Sequence, residues 1–249
     1  MDKLTHKFIL QLADNELILG HRISEWCGHG PALEQDIALA NIALDHVGQS
    51  RMYYQLAAEM EGNGKTEDDY PYKRMETSFY NVQLAEHENV DFGYTIVRSF
   101  FYDHFYYLLL EQLIGSTHIQ LANIAKSAIK EVKYHMRYSS EWIKRLGDGT
   151  EESHNRVQKA INDIYGFTGE MFIASEADKH VKTQYGIDIE SLKEKWLSSI
   201  KEVIAEATLE LPETTWFQKG GKDGIHTEKL GYLLTELQYI QRAYPNMEW

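Results

Sequence analysis

The chain has 249 residues, 43% of them apolar and 25% charged, a balance that suits one globular domain with a sizeable core. Its formal charge of −13 and the lack of any basic run longer than a pair exclude a nucleic-acid binder, because phosphate contacts need clustered lysine and arginine. No uncharged apolar stretch is long enough to span a membrane, the early charges of MDKLTHKFILQLADNE do not suit a secretory leader, and the single Cys27 closes no intramolecular disulfide, so a reducing cytoplasm is the expected location.

Only 4 prolines interrupt the chain, which leaves room for long helices. The first is predicted from about Thr5 to Trp26, with Phe8, Ile9, Leu12, Leu19 and Ile23 on one side, and the Cys-Gly-His-Gly-Pro run at 27–31 ends it. Pro31 suits the first turn of the next helix, about Ala32 to Met60. That helix carries one apolar stripe at Leu33, Ile37, Ala40, Leu44 and Val47 and a second at Ala38, Leu39, Ile42, Tyr53 and Leu56, a pattern expected of a helix packed between neighbours.

A polar loop is expected at 61–71 and a short, weakly patterned segment at 76–88. FGYTIVRSFFYDHFYYLLLEQLI, 92–114, is apolar nearly all round and reads as a central helix stopped by Gly115. The fourth long helix, about Ile119 to Leu146, is one-sided: Leu121, Ala125, Ala128, Val132, Met136, Trp142, Ile143 and Leu146 face in, and Lys126, Lys130, Lys133, Arg137 and Lys144 face out. Gly-Asp-Gly at 147–149 closes it. Further helices are predicted at about 150–176, 189–209 and 227–243, separated by Gly186 and the turn-rich stretch 211–224. The expected fold is all-α, a single domain over 1–249: an up-down bundle with a four-helix core over about 5–146 and C-terminal helices over about 150–243.

Polar residues interrupt the apolar faces. His46 and Gln49 fall on the second stripe of the second helix with Asp45 at its edge, Glu16 lies between Leu12 and Leu19, Asp103 lies beside Phe100 and Tyr107, and His135 is one turn from Val132. All four long helices therefore carry a polar group that can point at one centre. The layout resembles carboxylate-bridged di-iron bundles, in which two helices give one Glu each and two give Glu-x-x-His, so that carboxylates neutralise two hard cations and imidazoles cap them. The corresponding positions here read His46-Val47-Gly48-Gln49 and Val132-Lys133-Tyr134-His135. Both Glu positions and one His are replaced, so no functional di-iron centre is expected and no residue is assigned a catalytic role.

The plainer reading is a hydrogen-bonded interior network of Asp45, His46 and Gln49 with Asp103 or Glu16. The sharper one is a single metal ion held by Glu16, His46, Asp103 and His135. Glu131 and His135 have the i, i+4 spacing that can chelate a single ion, but Glu131 lies at the edge of the stripe and the pair reads as ordinary helix-surface neighbours. Cys27 with His29 is too small a cluster for zinc or a nucleophile, His226-Thr227-Glu228 reads as a helix start with Thr227 as cap, Asp68 and Asp69 read as loop solvation, and FFYDHFYY reads as core.

Three stretches carry a family resemblance along nearly the whole chain: LADNELILGHRISEWCGHGPALEQDIALANIALDHVGQSR, AIKEVKYHMRYSSEWIKRLGDGTEESHNRVQKAIN and GGKDGIHTEKLGYLLTELQYIQRAYPNMEW. On these the chain resembles the PaaC-type structural subunits of bacterial phenylacetyl-CoA epoxidases, ring 1,2-monooxygenases of aerobic phenylacetate degradation. The resemblance implies a ferritin-like fold and a non-catalytic role, with no cofactor on this subunit and di-iron on a homologous catalytic partner that keeps the Glu-x-x-His pairs and binds the CoA thioester. Partnership with that protein and the rest of the complex is then expected, with a homodimer as the substitute in isolation. The apolar excess of the first three long helices, rather than the lysine-rich face of the fourth, is the expected interface, with TELQYIQRAYP as a further contributor. The alternatives are an autonomous metal-binding oxidase using Glu16, His46, Asp103 and His135, and a free-standing scaffold or CoA-ester binder.

Overall fold

The computed structural model describes residues 1–214, 216–245 and 247; Thr215 in the turn-rich stretch and Asn246, Glu248 and Trp249 at the end of the expected domain lie outside the described residues. The described residues form α-helices α1 (Lys3–Ser24), α2 (Leu33–Glu61), α3 (Asp69–Lys73), α4 (Gln83–Glu86), α5 (Phe92–Gly115), α6 (Ile119–Gly147), α7 (Glu151–Ile164), α8 (Glu176–Tyr185), α9 (Lys193–Glu206) and α10 (Glu228–Ala243), with short 3-10 turns and no strand among them. The all-α bundle expected from the sequence is the fold observed.

Local chemistry sets the helix ends. Asp2 caps α1, its Oδ1 accepting from the backbone of Leu4 at 3.1 Å and Thr5 at 3.3 Å. Gly62 ends α2 in the left-handed conformation, at φ 63°. Contrary to expectation, Gly115 does not stop α5 but is its last residue; extended Ser116 makes the break. Pro31 likewise stays outside α2, preceding the N-cap residue Ala32.

The long helices form two antiparallel hairpins, α1 on α2 and α5 on α6, and the hairpins meet where α2 packs on α6 and α1 faces α5. Ordered contacts from Glu16 with His46 to Asp14 with Tyr54, and from Asp45 with His135 to Gln35 with Tyr138, show that each of these neighbours runs opposite to the next. The arrangement makes α2 and α5 parallel, so the connection between them must travel the length of the bundle. Residues 62–91 do so, and the segment read as loop and weak pattern holds α3 and α4, with Tyr70, Pro71 and all of 81–86 buried. A four-helix core with one long crossover is the ferritin-like arrangement.

The C-terminal third covers this core: α8 lies on α1, α7 and α9 lie on α5 and α6, and α10 lies on α3. The continuous helix expected over 150–176 is not formed. α7 ends at Ile164 and two 3-10 turns follow, because the chain here lies under the segment around Trp216 and Phe217. A Cβ at Gly169 would come within 2.3 Å of the Phe217 ring, and one at Gly166 within 2.9 Å of the Trp216 ring. A separate helix, α8, then starts on a capping box in which Ser175 and Asp178 each bond the other's backbone N–H.

One expectation about α2 fails. Its second stripe is buried at Leu39, Ile42, Tyr53 and Leu56, whereas the first faces outward: Leu33 is 73% exposed, Ile37 53%, Leu44 68% and Val47 37%. α2 sits at a corner of the bundle between α1 and α6, so the half-turn opposite the core is left open to solvent. α1 and α5, by contrast, are buried along almost all of their length, so the apolar excess noted for three helices is exposed on only one of them.

Candidate functional site

Halfway along the bundle the four long helices bring together the polar residues singled out by periodicity. Glu16 of α1 lies with Oε2 2.7 Å from Nδ1 of His46 on α2, and its Oε1 accepts the hydroxyl of Tyr102 on α5 at 2.6 Å. Asp103, next on α5, accepts the Ser139 hydroxyl of α6 at 2.8 Å. His135 of α6 sets Nε2 2.9 Å from Oδ2 of Asp45 on α2. The two imidazoles meet with ring centroids 4.9 Å apart. Gly20 allows this closeness: α1 passes α2 so tightly that a Cβ at Gly20 would stand 3.0 Å from the His46 Cβ.

Glu16, His46, Asp103 and His135 are all buried. Burial pushes the Glu16 carboxyl up to about 8, against the hydrogen bond from Tyr102, and pushes Asp103 up to about 7, against the attraction of His135 and the hydrogen bond from Ser139. It pushes His46 down to about 4, against the attraction of Asp45. Both members of the Glu16–His46 contact are therefore driven toward their neutral forms, and the contact is a hydrogen bond rather than an ion pair.

Two atoms of the cluster have no protein partner: Nε2 of His46 and Nδ1 of His135, each fully buried. One ring nitrogen of His46, one of His135 and a carboxylate oxygen of Asp103 lie within 4.8 Å of one another. The unpartnered nitrogens do not satisfy each other, so the centre carries buried polar capacity that the protein leaves unmet.

The geometry divides the network anticipated from the sequence. His46 joins Glu16, and Asp103 joins neither of them directly but bonds Ser139. Asp45, at the bundle surface with about a third of its side chain exposed, reaches His135 and not Asp103 or Glu16. Gln49 turns to Glu131, donating from Nε2 at 2.8 Å across the α2–α6 seam, so Glu131 is a partner of Gln49 and not a co-ligand with His135. Periodicity does not single out Tyr102 or Ser139; both sit in stretches whose apolar neighbours read as core, and only the position beside Asp103 on one helix and the one-turn spacing from His135 on the other signal them. Cys27 and His29 are exposed, and Asp69 caps a turn by accepting from Thr66 and pairs with Lys73.

The residues do not fit a dinuclear iron centre. At the two Glu-x-x-His positions stand His46 with Gln49, whose amide is committed to Glu131, and Val132 with His135, where Val132 presents a fully buried aliphatic surface. Only two buried carboxyls remain, and Glu16 has both oxygens engaged by Tyr102 and His46. Two closely spaced divalent cations would lack both the ligands and the negative charge they require.

A family model described as "Phenylacetic acid catabolic protein" matches residues 2–249. The chain is 43% identical over 250 residues to one of the subunits of the 1,2-phenylacetyl-CoA epoxidase of Escherichia coli (strain K12), with 100% of each chain covered. The match runs end to end, in line with the resemblance drawn from the three quoted stretches along nearly the whole chain, and the chain belongs to the phenylacetic acid catabolic protein family.

Proposed function

We propose that this chain is a non-catalytic subunit of a phenylacetyl-CoA 1,2-epoxidase, which pairs with and positions a related protein that carries the di-iron centre. The observation that carries the reading is the bare apolar ladder of α2. Four large side chains, Leu33, Ile37, Leu44 and Val47, line one face of a helix whose other face is fully packed, and such a contiguous patch is the mark of an interface. A related bundle of the same shape is the natural occupant, because a fold that pairs with its own copy can lose chemistry in one partner while the contact persists. The donor set at the helix crossing supports the division of labour: it lacks the carboxylates that a dinuclear centre needs.

The lysine-rich face of α6 is the poorer interface. Lys126, Lys130, Lys133 and Arg137 are exposed and lie on the side of the helix opposite its buried residues, where burial would cost their solvation. Lys144 departs from that pattern by pairing with Glu206 of α9 at 2.5 Å. Co-expression with the di-iron relative tests the reading. Leu44→Glu and Ile37→Glu should abolish co-purification with little change in folding, since both sites are exposed. Charge reversal at Lys126, Lys133 and Arg137 should leave it intact; the opposite pattern would place the interface on α6.

A further inference from the structure

We propose that the buried centre between α2, α5 and α6 is a mononuclear site for a divalent transition-metal cation, held by Nε2 of His46, Nδ1 of His135 and the carboxylate of Asp103. This goes beyond the pairing role and does not depend on it. The three residues are a buried set that can bring one ligand atom each within 4.8 Å of the others, and each of the two imidazoles has one nitrogen that no protein group satisfies. An unpaired buried ring nitrogen is costly, and two on neighbouring rings beside a buried carboxyl call for an occupant.

The surroundings are built as the outer shell of a metal site is built. Metal-bound histidines usually donate the other ring N–H to a carboxylate, which fixes the tautomer and leaves the inner nitrogen free to coordinate. Here Glu16 holds Nδ1 of His46 and Asp45 holds Nε2 of His135, so each ring presents its opposite nitrogen to the centre. The Ser139 hydroxyl orients Asp103, and the Tyr102 hydroxyl orients Glu16 in turn. Among the described residues no lysine or arginine is hydrogen-bonded to Glu16, Asp45 or Asp103, so no side-chain cation of the protein occupies the centre. Two imidazoles and one carboxylate suit zinc, ferrous iron or cobalt rather than magnesium or calcium, which favour all-oxygen ligands. Asp45, partly open to solvent at the α2–α6 seam, marks the entry side. Buried Val132 offers no ligand at the neighbouring position, so the donor set serves one ion and not two.

The competing occupant is a buried water, and metal titration separates the two. The full-length chain, freed of metal by a chelator and dialysed against cobalt(II) alone and then zinc(II) alone, is expected to retain one ion per chain. Cobalt should give a visible absorption without thiolate charge-transfer bands, and either ion should raise the thermal midpoint. Asp103→Asn and His135→Gln should each weaken binding at least tenfold. Glu16→Gln, which touches no ion, should weaken it about 10- to 100-fold through His46. Cys27→Ser controls for the exposed thiol and should change nothing. Binding below a tenth of an ion per chain, binding unchanged in both ligand variants, or binding lost in Cys27→Ser would overturn the proposal. If one ligand variant loses its native circular dichroism, the other and the wild-type stoichiometry still decide it.

Discussion

Asp14 and Glu16, two residues apart on α1, are both fully buried and are accommodated in different ways. Asp14 faces the crossover, where Arg74 grips both of its oxygens, the Tyr54 hydroxyl donates at 2.5 Å and the Tyr80 backbone N–H donates at 2.8 Å. Glu16 faces the bundle centre, with a phenol and an imidazole but no bonded cation. Arg74→Met should therefore leave a carboxylate buried without its cation and cost about 3–5 kcal/mol in urea unfolding. A loss below about 1 kcal/mol would mean that water reaches Asp14. The difference between the two acids is only half legible in the sequence. Periodicity places Glu16 inward beside Leu12 and Leu19, but the partner of Asp14 lies 60 residues away in the crossover that reads as a weak pattern. For the same reason the helical angle of Asp45 places it at the edge of the buried stripe, while its pairing with His135 depends on how α2 and α6 are set against each other.

Helix docking rests on a few close contacts. α6 ends against the end of α9, and a Cβ at Gly147 would stand 2.4 Å from the Ala207 carbonyl oxygen. Backbone cannot yield as a side-chain tip does, so Gly147→Ala should cost about 1–3 kcal/mol, measured as a lower urea midpoint. At the start of α10, buried Glu86 of α4 accepts from the Thr227 backbone N–H at 2.9 Å and hydroxyl at 2.7 Å, and lies 2.5 Å from Nδ1 of His226. Thr227 thus holds the N-cap position without capping the helix itself. Burial alone would lower the His226 pKa, but the hydrogen bond and charge of Glu86, with the Phe79 carbonyl, hold it above its ordinary value. A raised folded-state value stabilises the fold fully below the unfolded value of about 6.5, and that contribution fades as pH rises through the folded one. The stability gap between wild type and His226→Gln should accordingly be larger at about pH 5.5 than at about pH 8.5. An equal gap at both values would show that His226 is neutral throughout. The long helices are legible in the sequence because their apolar periodicity runs over many turns. The breaks at Ile164 and Ser116 are not, because one depends on the distant Phe217 and Trp216 rings and the other on a single extended residue.

At the scale of the whole molecule, the same periodicity that locates the core misleads about α2. An apolar stripe states that a face avoids water, but not whether the cover comes from this chain or another, and here none of the described helices supplies it. No helix among the described residues is long and apolar enough to cross a membrane. On the proposed reading the ladder meets the catalytic partner, and the buried centre takes no part in turnover. Phenylacetyl-CoA epoxidation per di-iron centre, in complexes reconstituted with wild-type, Asp103→Asn or Leu44→Glu chains, tests both statements at once. Asp103→Asn complexes should turn over at the wild-type rate and Leu44→Glu should give no active complex. A turnover collapse with Asp103→Asn in an intact complex, or full activity with Leu44→Glu, would contradict it.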